Sequence, residues 1–167
     1  MKKIFIINGK GNAGKDTLCE FVGRRYSTVN VSAITPIKEA AELLGWRGEK
    51  SGTARKFLAD LKQLSVKFND YPNTYLVEQY SLFMNSEAEV MFVHIREADQ
   101  IVHFIESIST PVTTLLIKRL DHDKNLGNDA DDNVEDYQYD YLYHNDQPLE
   151  SAEEDFMQFF NEMITKE

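Results

Sequence analysis

A glycine-rich stretch between a short apolar run and an amphipathic helix constrains the fold of this chain more than any other feature. Residues 4–7 are apolar and mostly β-branched, which predicts a buried strand, whereas residues 16–26 carry apolar side chains at helical spacing. Between them, residues 9–15 match the G-x-x-x-x-G-K pattern. Glycines there let backbone N–H groups turn toward phosphate oxygens, and the helix offers its positive N-terminal end. The order of strand, loop and helix therefore predicts a phosphate-binding loop.

The rest of the chain alternates between predicted strands and predicted helices. Further strands are predicted at residues 29–34, 90–95, 112–120 and 139–143. Further helices are predicted at about residues 35–45, 54–68, 74–84, 98–108 and from 151 onwards. This alternation predicts an α/β, three-layer P-loop NTPase fold, in which helices cover both faces of a five-stranded, mainly parallel sheet. We expect a single domain over residues 1–167, with ligands at the carboxyl ends of the strands.

Local patterns make finer predictions. One helix places its apolar residues on one face, as in an amphipathic helix: Phe57, Leu58, Leu61, Leu64 and Phe68. Ser151 and Glu154 fit a capping box that opens the last helix. The alternating tyrosines from residue 137 to residue 143 are typical of a strand. The single cysteine, Cys19, is predicted to lie in the core, because no partner base for a nucleophile is evident.

Composition excludes several classes of partner. The formal net charge is −10, whereas nucleic acids and anionic membranes demand a basic surface. No apolar run approaches the length of a membrane span, and the residues before the glycine loop are too few for a signal peptide. We therefore expect a cytoplasmic protein with a small, phosphate-bearing substrate and without a nucleic-acid or membrane partner, and we leave a homodimer open.

The glycine loop predicts a nucleoside triphosphate site. The residues expected to bind ATP are those of the loop and of the helix start: Gly9, Gly11, Asn12, Ala13, Gly14, Lys15, Asp16 and Thr17. Lys15 can reach the β- and γ-phosphates. Asp16 stands where a hydroxyl usually serves Mg²⁺, so its carboxylate either approaches the metal or only favours the helix N-terminus. Thr17 keeps a hydroxyl, and we assign the predicted metal site to Asp16 and Thr17.

Five segments of the sequence resemble the deoxynucleoside monophosphate kinases. GKDT at residues 14–17 resembles their P-loop, and also that of animal-type phosphomevalonate kinases. SAITPIKEAAELLGW resembles the Pro-Leu-Lys turn and helix of the first family, and TARKFLADL its Arg-bearing substrate helix. VHIRE resembles the Asp-x-Arg end of its third strand, and YDYLYHNDQPLESAEED its last strand, Asn-Asp turn and final helix. The resemblance spans most of the chain.

The resemblance implies an acceptor site beside the loop. It implies a helical acceptor-binding insertion at about residues 36–88 and a lid-like segment at about residues 121–136. Lys38, Arg55 and Arg96 would bind the acceptor phosphate, because arginine grips phosphate in a bidentate way. Lys15, Arg96 and Arg119 form the predicted catalytic set, in which Arg119 would stabilise the transition state. Asn145 would lie near the adenine of ATP.

Two positions depart from the family pattern. His94 stands where the family often has Asp, and the lid-like segment is unusually acidic, with Arg119 and Lys124 as its main local cations. Three functions stay open: phosphoryl transfer from ATP to a nucleoside or deoxynucleoside monophosphate with Mg²⁺, a nucleotide-binding switch without acceptor turnover, and a phosphomevalonate-type kinase. The missing carboxylate base at His94 favours an acceptor that is already anionic.

Overall fold

A computed structural model describes residues 2–119 and 133–165 of the chain. The strands are β1 (Lys3–Asn8), β2 (Thr28–Ser32), β3 (Val90–His94), β4 (Val112–Lys118) and β5 (Tyr141–His144). The helices are α1 (Lys15–Gly23), α2 (Thr35–Leu43), α3 (Gly52–Asn69), α4 (Tyr71–Met84), α5 (Ala98–Glu106) and α6 (Leu149–Thr165). No helix within the described ranges is long and apolar enough to cross a membrane.

The described strands form one sheet in the order β2-β3-β1-β4-β5, and every pair of neighbours is parallel. β1 is central, and Ile4 pairs with Met91 of β3 on one side and with Val112 of β4 on the other. The carboxyl ends of β1, β3 and β4 therefore meet at one edge of the sheet. The predicted α/β fold with a parallel sheet is confirmed.

Helices cover both faces of the sheet, as the nearly continuous apolar strands require. On one face, Phe5 and Phe92 pack with Phe156 and Phe160 of α6 and with α1. On the other face, alternate strand residues pack with α4 and α5, where the buried residues are Leu76, Phe83, Ile101 and Phe104. This alternation of side chains across the strands produces the three predicted layers.

Three predicted boundaries are wrong. α6 begins at Leu149, and the Ser151 hydroxyl donates to Pro148 O, so the predicted capping box does not form. α4 begins at Tyr71, because Pro72 is tolerated in a first helical turn, where its missing N–H has no partner to lose. β5 begins at Tyr141, so the alternating tyrosines before it do not belong to the strand.

The apolar face predicted for α3 forms, but it packs into the protein only in part, at the half-buried Leu58 and Leu61. Leu64 is 64% exposed and Phe68 is 86% exposed, and Phe57 is also exposed. Within α3, which is described throughout, Lys62 is the residue that is buried. Its ammonium group lies 2.5 Å from the Glu97 carboxylate, which ties α3 to the start of α5.

Candidate functional site

The glycine loop joins the central strand β1 to α1. Gly9, Asn12 and Gly14 all have positive φ angles, of 148°, 64° and 90°. A Cβ atom on Gly9 would lie 2.4 Å from the Ile117 carbonyl oxygen of β4. Only glycine fits so close to a neighbouring strand, and the positive φ angles curl the backbone into a concave turn. The structure therefore builds the anion-binding type of loop at the predicted place.

Lys15 and the start of α1 give this loop positive character. The Lys15 ammonium donates to Gly9 O at 2.6 Å and to Lys10 O at 3.0 Å, so the side chain folds back over the loop. Gly14 is the N-cap of α1, and the helix therefore directs its first N–H groups and its positive dipole end at the same space. Asp16 is exposed and Thr17 is half-buried, and both residues stand in the first turn of α1, which follows the loop.

Asn145 holds the loop from the side of β5. It is buried, and its side-chain amide donates to Ala13 O at 2.9 Å. Its backbone N–H donates to Lys118 O at 2.8 Å, which fixes the residue against the end of β4. The sequence placed Asn145 near an adenine, and the structure places its amide on the backbone of the glycine loop.

The buried side-chain amide of Asn8, at the end of β1, connects three parts of the site. The sequence did not predict this role. Asn8 accepts a hydrogen bond from Gly9 N at 2.8 Å and donates to Arg96 O at 3.0 Å. It also donates to the Tyr139 hydroxyl at 2.7 Å, which in turn donates to Val134 O at 2.8 Å. Burial raises the pKa of Tyr139 to about 12, so the phenol keeps its proton. A polar residue ending an apolar strand was the available signal.

His94, at the carboxyl end of β3, lies in the electrostatic field of the loop. Burial lowers the pKa of His94 below its usual value, because the charged imidazolium loses hydration. The Asp16 carboxylate opposes this decrease, and the cations Lys15 and Arg96 add to it. The imidazole is therefore neutral at pH 7, and it lies close enough to Lys15, Asp16 and Arg96 to be affected by their charges.

The predicted cations divide into two groups. Arg96 is half-buried two residues after β3, and its backbone carbonyl is held by Asn8. Arg119 follows β4 and lines a crevice with Lys10 and Ala13 of the loop. Lys38 on α2 and Arg55 at the start of α3 are exposed. The sheet thus brings Arg96 and Arg119 to the loop edge, whereas the other two cations lie on the helices of the proposed insertion.

Several sequence predictions fall outside the described residues. Of the lid-like segment 121–136, the structure describes only residues 133–136. Lys124 belongs to this segment but lies outside the described residues. Lys118, at the end of β4, pairs with Glu135 at 2.8 Å.

Cys19 is buried in the core on α1, as predicted, and burial raises the pKa of its thiol.

A wider groove lies away from the loop, between the end of α1 and α6. Its lining includes four glutamates: Glu150, Glu153, Glu154 and Glu162. Arg24, beside this groove, is already paired with Glu153. Carboxylates repel phosphate groups, so the smaller but basic surroundings of the glycine loop are the candidate nucleotide site.

Comparisons with known proteins give the fold a context. No family model matches the sequence, and no curated protein matches it either. A candidate kinase from Chloroflexus aurantiacus aligns over 99% of this chain and 97% of its own, at 10% identity and a TM-score of 0.55. Protein TT1252 from Thermus thermophilus aligns over 96% and 97%, at 17% identity and a TM-score of 0.51. At these identities the likenesses show a shared fold, which is the α/β fold with a five-stranded parallel sheet.

Proposed function

We propose that the protein is a P-loop kinase that transfers the γ-phosphoryl group of ATP to a nucleoside or deoxynucleoside monophosphate. The observation that carries the proposal is the glycine loop at the carboxyl end of the central strand, with the Lys15 ammonium folded over it. The Asn8 amide joins this loop to Arg96 at the end of the neighbouring strand. A donor phosphate and an acceptor phosphate therefore have cationic partners on adjacent strand ends.

The loop supplies the donor side of this proposed reaction. Its backbone N–H groups and Lys15 bind the β- and γ-phosphates and neutralise the charge that moves during transfer. Asp16 and Thr17 offer a carboxylate and a hydroxyl, the hard oxygen ligands that suit Mg²⁺, so these residues fit the metal that ATP brings. The metal supplies further charge neutralisation on the phosphates.

Arg96 and Arg55 serve the acceptor side, and Arg119 stabilises the transferring group. An acceptor phosphate oxygen is already anionic, so the reaction requires positioning and charge neutralisation rather than a base. The neutral His94 imidazole, with no carboxylate in its place, supports this type of acceptor. Arg96 is the residue expected to matter most, because it is half-buried beside the loop and its backbone carbonyl is held by Asn8.

The test is ATP consumption against a panel of nucleoside and deoxynucleoside monophosphates, with and without Mg²⁺. Arg96→Ala should raise the acceptor KM or lower kcat by about thirty- to a hundred-fold, since a lost charge-assisted contact to phosphate is worth about 2–3 kcal/mol. ATP affinity should stay nearly unchanged. Arg47→Ala is the control, because Arg47 is an exposed arginine whose side chain contacts backbone carbonyls near the end of α2.

A nucleotide-binding switch is the second candidate, supported by His94 in the place of the family's carboxylate. It predicts ATP binding without turnover of any acceptor. Phosphomevalonate belongs in the same panel, because the GKDT loop also resembles that family. Absence of any phosphorylated acceptor, together with unchanged monophosphate binding in Arg96→Ala, would refute the kinase and leave nucleotide binding.

A further inference from the structure

The outer side of α3 carries an apolar stripe formed by Phe57, Leu61, Leu64 and Phe68. Three of them are exposed, Phe57 at 37%, Leu64 at 64% and Phe68 at 86%, and Leu61 is half-buried. The helix contacts α2 and α4, and its buried residue Lys62 faces the protein. Single exposed apolar residues are ordinary, but four in line over three helical turns indicate a surface that another helix covers.

The order of the residues in the stripe is palindromic. Their spacing of four, three and four residues is that of a heptad seam, and the side chains follow the order Phe, Leu, Leu, Phe. Both the outer pair and the inner pair are centred between Lys62 and Gln63. An antiparallel copy of the same helix, related by a two-fold axis at that point, would therefore place Phe57 opposite Phe68 and Leu61 opposite Leu64.

We propose that the stripe is the interface of a homodimer, in which two copies of α3 pack antiparallel. A two-fold axis makes one surface its own complement, and a palindromic stripe meets that requirement without any further feature. An unrelated partner would require no such symmetry. The inference is independent of the proposed function.

Charges beside the stripe also match in this arrangement. With 3.6 residues per turn, Asp60 and Lys67 lie on the same flank of the stripe. An antiparallel two-fold brings equal flanks together, so each Asp60 lies within about one turn of the other copy's Lys67, and the pair occurs twice. Lys56, which pairs with Asp60 in its own helix at 2.7 Å, lies further round from the stripe. In a parallel pair, the flank that carries Asp60 and Lys67 would instead face the opposite flank of the other copy, which carries Leu58 and Ser65.

A second exposed apolar pair lies on the neighbouring helix. Leu43 and Leu44, at the end of α2, are 90% and 67% exposed, and α2 packs against α3. Standard interfaces bury about 800 Å² per partner, and a stripe of four side chains alone covers less than that. We therefore expect a dimer that dissociates at micromolar concentrations, where sedimentation measures the equilibrium.

The test is the oligomeric state of the full chain by analytical ultracentrifugation from about 1 to 100 µM. The wild type should reach twice the chain mass of 19.3 kDa. Leu64→Glu should be monomeric throughout, because it buries two charges near the axis. Leu82→Glu is the matched control, since Leu82 on α4 is also 64% exposed, and it should dimerise as the wild type does. Circular dichroism checks that each variant is folded.

Charge reversal tests the antiparallel orientation. Asp60→Lys alone and Lys67→Asp alone should each weaken dimerisation by about ten-fold, because two attractions become two repulsions. The double variant should recover the wild-type dissociation constant. A wild-type monomer at 100 µM, or equal dimerisation of Leu64→Glu and Leu82→Glu, would overturn the interface. Failure of the double variant to recover would overturn the antiparallel arrangement.

Discussion

Gly14 and Asn145 form a contact whose energy can be isolated by a double-mutant cycle. Gly14 has φ of 90°, and a Cβ atom there would lie 2.3 Å from the side-chain nitrogen of Asn145. Gly14→Ala should cost about 1–2 kcal/mol for the left-handed backbone. Displacing the Asn145 amide from Ala13 O should add about 1 kcal/mol, and crowding about 1–3 kcal/mol. We expect a total loss of about 3–6 kcal/mol in the free energy of unfolding.

Asn145→Ala alone should cost about 1–3 kcal/mol, because it leaves the buried Ala13 carbonyl without its donor. In the double variant the clash is gone, and the backbone strain at residue 14 remains. The double variant should therefore be more stable than the sum of the single effects predicts, by about 2–4 kcal/mol, because the crowding is gone and the lost hydrogen bond is counted only once. This coupling measures how tightly Asn145 holds the glycine loop.

Urea denaturation of the four proteins gives the cycle, with thermal melting as a check. For a chain of this length, each kcal/mol lowers Tm by about 2–4 °C. Gly48→Ala is the matched control, because Gly48 has φ of 93° and a Cβ atom there would meet nothing within 4 Å, so it should lose only the backbone contribution. Additive effects within about 0.5 kcal/mol, or a Gly14→Ala protein no less stable than Gly48→Ala, would show that Gly14 and Asn145 are not coupled.

Three further predictions concern the loop and His94. Lys15→Ala should weaken ATP binding by about thirty- to a hundred-fold in calorimetry while Tm stays within a few degrees, since it removes a charge-assisted contact; equal affinity would contradict the phosphate role. Asp16→Ala should reduce the Mg²⁺ dependence of ATP binding more than metal-free binding, whereas an identical Mg²⁺ response would leave only the helix-start role. Because the pKa of His94 is lowered below 6.5 on folding, the unfolded chain binds its proton first, and stability should fall as pH decreases below about 6.5. His94→Asn should flatten that decline in urea denaturation, and parallel pH profiles would exclude His94 as its source.

The sequence predicted the parts of the fold that depend on local chemistry. The glycine pattern at residues 9–15 depends on the backbone angles of neighbouring residues. A short stretch of sequence was therefore enough to predict the strand, the loop and the helix. Short apolar runs likewise located the strands of a sheet that is covered on both faces. The last helix was predicted too late, because Pro148 and Leu149 start it before the Ser151 pattern.

The missed features depend on contacts between distant parts of the chain. Asn8 and Tyr139 are 131 residues apart, and Asn145 and Ala13 are 132 apart, so no local pattern shows that they meet. The apolar residues of α3 predicted a helix correctly. Periodicity alone gives the face of a helix but not its neighbour, and here much of that face points away from the protein.

The central position of β1 has a consequence for how the chain folds during synthesis. β1 is made before its partners β3 and β4, which lie about 100 residues later, so Ile4 has no strand to pair with until those strands have left the ribosome. At about 5–20 residues per second, that delay is on the order of ten seconds. Until then this apolar strand is open to chaperones, and the glycine loop that follows it takes its final shape only after β3 and β4 have been made.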